Sequence, residues 1–158
     1  MIFFEKSQPA PESLIIEKPK TSGTYNQPDV LERLVEDFKN KCYLCEQGDL
    51  TSMNIEHLIP HRKNVDLKFD WNNLFLVCPH CNNIKLDKYD SILSCTNKSD
   101  EVEKRITLKL DPFPMSEVEV IPNQSDERTL QTVELLSAVY NGTTAMKTKE
   151  AENLTKRL

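Results

Sequence analysis

The sequence predicts an α+β protein: a small core of two strands and a helix stapled by cysteines, with an N-terminal helix before it and further strands and helices after it. Three observations carry this expectation. Two C-x2-C pairs, Cys42/Cys45 and Cys78/Cys81, stand far apart in the chain. Between them lie two short apolar runs of strand character, near 53–59 and 74–77. Outside them, apolar residues recur at three- and four-residue steps, as on the buried face of a helix.

Residues 1–26 contain Pro9, Pro11 and Pro19 with little periodicity, which predicts an extended arm holding one short strand. A helix follows, because Pro28 suits a first turn and Val30, Leu31, Leu34, Val35 and Phe38 share one face. The core, 27–90, continues with a strand over 53–59 that Pro60 ends. The turn-like Asp70-Trp71-Asn72-Asn73 precedes a second strand, Leu74 to Val77, and Pro79 opens a short helix through Ile84 and Lys85. Trp71 and Phe75 are expected in the core.

The extension, 91–158, contains a strand over 106–110 that pairs with 118–121 across Asp111-Pro112-Phe113-Pro114. Ser125 caps a helix bearing Leu130, Val133, Leu136 and Tyr140, which stops at Asn141-Gly142. A last helix, 144–158, carries Ala151, Leu154 and Leu158 on one face, to be covered by residues 125–140 or by a partner.

At 158 residues the chain has the size of one ordinary domain. Its apolar start, Met1 to Phe4, meets Glu5 at once and is too short for a signal-peptide core, so the expectation is a cytoplasmic protein without membrane spans. In a reducing compartment, paired C-x2-C motifs more often hold metal than form disulfides. Two knuckles present four thiolates to one tetrahedral zinc, which makes Cys42, Cys45, Cys78 and Cys81 the ligand set. Cys95 has no partner in spacing and is expected to be an inert thiol. A redox role is disfavoured, because the pairs are matched and lack a βαβ context.

The net charge of −5 excludes a surface that grips nucleic acid all over, since neutralising phosphates takes Lys and Arg. Locally the balance differs, with Arg62, Lys63, Lys68, Lys85 and Lys88 in or beside the central segment.

The runs Ile55-Glu56-His57-Leu58-Ile59-Pro60, Asn73-Leu74-Phe75-Leu76-Val77-Cys78 and Cys81-Asn82-Asn83-Ile84-Lys85 resemble the HNH endonucleases, the ββα-metal nucleases. The resemblance spans residues 42–85, about a quarter of the chain, and rests on an acid-histidine pair, an asparagine before the second knuckle, and a final Asn with Lys after it. Asn82 stands where many members have histidine, which makes the pattern an H-N-N variant. The likeness implies a metal-dependent nuclease acting on DNA. The stretches 55–60 and 71–85 also resemble the nuclease partners of ATPase-based bacterial defence systems such as Septu and certain retrons, which implies antiviral defence and an ATPase partner.

Chemistry assigns each position a role. Phosphodiester hydrolysis needs an activated water and a cation to neutralise the phosphate. His57 is the candidate general base, because a neutral imidazole can accept a proton at cellular pH. Glu56 and Asn82 offer oxygen ligands to a hard divalent ion, Mg2+ or Mn2+. Asn73 is expected to orient His57, and Arg62, Lys63 and Lys85 to contact phosphate. His61 and His80 are expected to face solvent or play supporting roles. The competing class is a noncatalytic zinc module that binds nucleic acid or a protein; such a module needs neither Glu56-His57 nor Asn73 and Asn82. For tight or selective cleavage, an acidic chain with few cations at its site is expected to need a protein partner that presents the nucleic acid, docked on the helices from Ser125 onward.

Overall fold

Where the arm's prolines predict an extended stretch with one strand, the chain instead forms a helix, α1 (Glu12–Glu17). The prolines bracket it: Pro11 occupies its N-cap and Pro19 lies just past its end, both positions compatible with a helix. Leu14 is its one buried side chain, and Asp29 accepts the Ser13 backbone N–H at 3.3 Å. The computed structural model describes residues 1–49, 52–110 and 117–156, and among the described residues the arm has no strand.

Helix α2 (Pro28–Asp37) starts with proline in its first turn and buries Val30 and Leu34 completely, with Phe38 following at its C-terminal end. Leu31, on the margin of the same stripe, is exposed. Strand β1 (Asn54–His57) pairs antiparallel with β2 (Leu74–Val77), in a register that sets Glu56 opposite Phe75 and His57 opposite Leu74. β2 is buried along its whole length because both of its faces are covered. Phe38 meets Phe75 edge-on at 5.6 Å, and Tyr43 tilts against the same ring at 4.9 Å. The connection between the strands contains α3 (Val65–Lys68), whose first turn is capped by the Asn64 side chain. After β2, α4 (Pro79–Lys85) begins at the second knuckle, with Cys78 as N-cap and Pro79 at its first position.

The arm is fastened to this core by Lys6. Its ammonium donates to the carbonyls of Trp71 and Leu74 and sits 3.7 Å from the Trp71 ring centroid, while Trp71 Nε1–H donates to the Ser7 carbonyl at 2.8 Å. Burial pushes Lys6 down to about 7, with Asp37 and Asp70 pulling the other way. Trp71 and Phe75 are core residues, as the sequence predicts.

The extension adds α5 (Val102–Arg105), the hairpin β3 (Ile106–Leu110) and β4 (Val118–Pro122), then α6 (Glu127–Asn141) and α7 (Ala145–Thr155). The 111–114 turn and the Leu158 end of the last helix lie outside the described residues. Helix α6 is capped by Asp126 rather than Ser125: the Asp126 side chain accepts the Thr129 N–H at 3.2 Å, and a carboxylate is also favoured by the helix dipole. It stops at Gly142, whose φ of +80° and approach to Thr148, 2.3 Å from where a Cβ would sit, both require glycine. Leu135, Leu136, Val139 and Tyr140 of α6 are buried, as are Ala151 and Leu154 of α7. The apolar face of the last helix, expected to be covered by residues 125–140 or by a partner, packs on α6 through Ala151 and Leu154, and Leu130 and Met146 are exposed. No helix among the described residues is long and apolar enough to cross a membrane.

Candidate functional site

The two knuckles converge. All four sulfurs of Cys42, Cys45, Cys78 and Cys81 lie within 4.8 Å of one another, fully buried, and Cys45 Sγ and Cys78 Sγ are 3.9 Å apart. A tetrahedron with metal–sulfur distances of about 2.3 Å has edges of about 3.8 Å, so the cluster has the dimensions of a zinc site. The backbone shapes it: the Cys42 carbonyl accepts the Glu46 N–H at 2.8 Å, the Cys78 carbonyl accepts the Asn82 N–H at 3.0 Å, and Tyr43 N–H donates to the Leu76 carbonyl at 3.0 Å, fixing the first knuckle to β2. Its neighbours, Cys42 foremost, hold Cys78 far below the ordinary thiol range and push Cys45 and Cys81 up. Four adjacent buried thiols cannot ionise together without a cation, which is the chemistry of a structural zinc ligand set. Cys95 is buried outside this cluster, and burial pushes it up to about 12.

Glu56 lies beneath the adjoining cleft and is almost completely buried. The Tyr43 hydroxyl donates to its Oε1, and the Lys85 ammonium lies 3.8 Å from the same oxygen. Burial pushes Glu56 up to about 7, opposed by Lys85 and Tyr43; burial also lowers Lys85, opposed by Glu56. Lys85 is 0% exposed and donates to the His57 carbonyl at 2.9 Å.

This placement corrects the expectation that Lys85 contacts phosphate. On α4 it is one turn beyond Cys81 and adjacent to Ile84, on the inward face, and one ammonium braces both members of the Glu56-His57 pair. Lys85→Met is therefore expected to destabilise the fold by roughly 3 kcal/mol, because it strands a buried carboxylate, while leaving nucleic-acid affinity unchanged. Chemical denaturation and fluorescence anisotropy check this; unchanged stability with weakened binding would restore the surface role.

His57 is 8% exposed, and its Nε2 lies 3.0 Å from the Lys68 carbonyl. A carbonyl only accepts, so Nε2 carries the proton and Nδ1 the lone pair. Burial pushes His57 down to about 4, the Lys68 carbonyl pulling the other way, so the ring is neutral near pH 7. Tyr25 and His61 pack edge-on against it, with ring centroids 4.5 and 4.7 Å away.

Asn73 is buried and acts on the loop that follows His57. Its Oδ1 accepts the Ile59 N–H at 2.8 Å, and its Nδ2 donates to the carbonyls of Ile59 at 2.9 Å and Leu67 at 3.1 Å. Its carbonyl accepts the Leu58 N–H at 2.9 Å. Asn73 thus bears on His57 through the backbone on either side of the loop.

Asn82, Glu56 and His57 line one cleft of about 290 Å³, with Tyr25, His61, Arg62 and Leu86 around it. Arg62 bridges its two lips, donating to Asp90 at 2.8 Å and to the Asp87 carbonyl at 3.1 Å, and it holds Asp90 below the usual carboxylate range. Lys63 is exposed, and its N–H donates to His61 Nδ1 at 3.1 Å. His80 does not line the cleft: Nε2 lies 2.8 Å from the Val139 carbonyl and Nδ1 3.1 Å from Glu150, so it docks α6 and α7 onto the second knuckle.

Three contributors to the site lie beyond what the motif specifies: the Tyr43 hydroxyl, the Lys68 carbonyl and the Tyr25 ring. Each depends on long-range packing, which spacing does not reveal. The HNH endonuclease family model matches residues 42–88, the segment that carries the cysteine cluster, β1, β2 and α4. That match supports a nuclease-type domain with a nucleic-acid substrate. No curated protein matches the chain.

Proposed function

We propose that the chain is a metal-dependent endonuclease that hydrolyses phosphodiester bonds of DNA, with His57 as general base. The observation that carries this reading is the His57 ring: its Nε2–H is fixed on the Lys68 carbonyl, which leaves the Nδ1 lone pair for a cleft shared with Glu56 and Asn82. Nδ1 takes a proton from the attacking water, a role worth about 10²–10⁴-fold in rate. Lys85 holds the carbonyl of the base and Asn73 the backbone that follows it, and Tyr43 holds Glu56.

Zinc fits the four cysteines as a structural ion. The donors facing the cleft are of another kind, a carboxylate and an amide oxygen, and suit Mg2+ or Mn2+. Because Tyr43 and Lys85 both engage Oε1 of Glu56, Oε2 is the oxygen left for such an ion. When bound, a divalent ion supplies charge neutralisation at the phosphate. Arg62 and Lys63 line the approach for the nucleic acid. With so few cations there on a chain of net charge −5, the same reading includes a partner protein that presents the substrate for tight or selective cleavage, and the likeness to nuclease partners in ATPase-based bacterial defence supports an ATPase in that role.

Calorimetric titration of the zinc-loaded chain with Mn2+ tests the second metal. One exchangeable site is expected, weakened about tenfold or more by Glu56→Gln and by Asn82→Ala. Mn2+ binding that neither substitution changes would remove both residues from the ligand set.

A further inference from the structure

We infer that Tyr25, on the N-terminal arm and outside the segment matched by the family model, is a positioning residue of the active site whose ring fixes the orientation of the His57 imidazole. The inference rests on His57 being the general base. The His57 ring is bounded on three sides: the Lys68 carbonyl at Nε2, Tyr25 at 4.5 Å with an interplanar angle of 75°, and His61 at 4.7 Å and 61°. A flip of the imidazole about its Cβ–Cγ bond would put Cε1 in place of Nε2 against the Lys68 carbonyl, break that hydrogen bond and carry the Nδ1 lone pair away from the cleft. A single hydrogen bond does not prevent such rotation, whereas rings packed edge-on against the imidazole block it sterically.

The arm is built to hold Tyr25 there. Lys68 ties at both ends: its carbonyl accepts from His57, and its ammonium donates to the Gly23 carbonyl at 2.6 Å. The Thr24 N–H donates to Glu17 at 3.1 Å, and the Gln27 side-chain amide donates to the Thr24 hydroxyl at 2.7 Å. At Gly23 a Cβ would fall 2.0 Å from the Glu17 carbonyl oxygen, so the close turn that delivers Tyr25 requires glycine. Tyr25 itself is half-buried and lines the cleft, and among the described residues its hydroxyl makes no hydrogen bond. The ring, and not the hydroxyl, is what the site uses.

The test compares Tyr25→Phe and Tyr25→Ala in the full zinc-loaded chain. Histidine side-chain ¹H–¹⁵N correlation spectra need no catalysis: wild type and Tyr25→Phe are expected to show His57 as a single Nε2–H tautomer, and Tyr25→Ala an average of both. In cleavage with Mn2+, Tyr25→Ala is expected to lower kcat about 10- to 100-fold, the scale of a misplaced reacting group, with KM unchanged and Tyr25→Phe like wild type. Should Tyr25→Ala fail to fold, Tyr25→Val, which keeps part of the apolar contact with the arm but is too short to reach across the imidazole, takes its place with the same expected outcomes. A Tyr25→Ala protein with one tautomer and wild-type kcat, or a Tyr25→Phe protein as impaired as Tyr25→Ala, would overturn the inference. A wild-type chain that cleaves nothing would instead defeat the nuclease assignment, and the spectra would still decide the role of Tyr25.

Discussion

His57→Ala is expected to lower cleavage by about 10³-fold while leaving nucleic-acid binding nearly unchanged, as loss of a general base does when phosphate is held by other groups. The split follows from where His57 sits. It is 8% exposed, its Nε2–H is engaged by the Lys68 carbonyl, and it lines the cleft, so it contributes little surface to a bound strand. Single-turnover kinetics with anisotropy measured in parallel separate the two effects. Loss of binding with an unchanged chemical rate would make His57 a contact residue rather than the base.

Cys78→Ser is expected to have an effect of comparable size on the fold. Zinc content should fall from one ion per chain to near zero, and the cooperative melting of the core should go with it. Structural zinc contributes on the order of 10 kcal/mol or more, comparable to the whole stability of a typical domain at about 5–15 kcal/mol. No disulfide joins the knuckles among the described residues: Cys45 and Cys78 bring together the segment after α2 and the start of α4, and the hydrogen bond from Tyr43 N–H to the Leu76 carbonyl sits in the same register. Cys95→Ser is the control, because Cys95 is buried outside the four-sulfur cluster and its loss should leave zinc content unchanged. Metal analysis and thermal unfolding read both variants. Full zinc content and wild-type melting in Cys78→Ser would contradict the clamp.

Much of this core is legible in the sequence because local pattern and tertiary burial agree. The stripe of Val30, Leu34 and Phe38, the Pro28 start and the apolar run Leu74 to Val77 each specify an element that packing then uses. Helix α1 is hidden because prolines mark a helix boundary as readily as a loop, and only burial of Leu14 decides between them. The shift of the α6 cap from Ser125 to Asp126 is a choice between adjacent residues that both cap well.

At the site, spacing brings Glu56, His57, Asn73 and Asn82 together as candidates but does not say which way each side chain points. For Lys85 a signal was present: the buried set Cys81, Ile84 and Lys85 follows the helical three- and four-residue step, which turns the lysine inward. For Tyr43 and Tyr25 no such signal exists, since their partners are fixed by strand pairing and by the path of the arm.

The most direct measurement is plasmid incision by the purified chain, with zinc quantified and Mg2+ or Mn2+ added, then withdrawn by mild chelation. The expected result is incision that requires the added ion and stops on its removal, with one zinc per chain retained throughout. A folded chain that keeps its zinc and binds DNA, yet leaves the plasmid intact in both ions, would contradict catalysis and identify the domain as a noncatalytic zinc module.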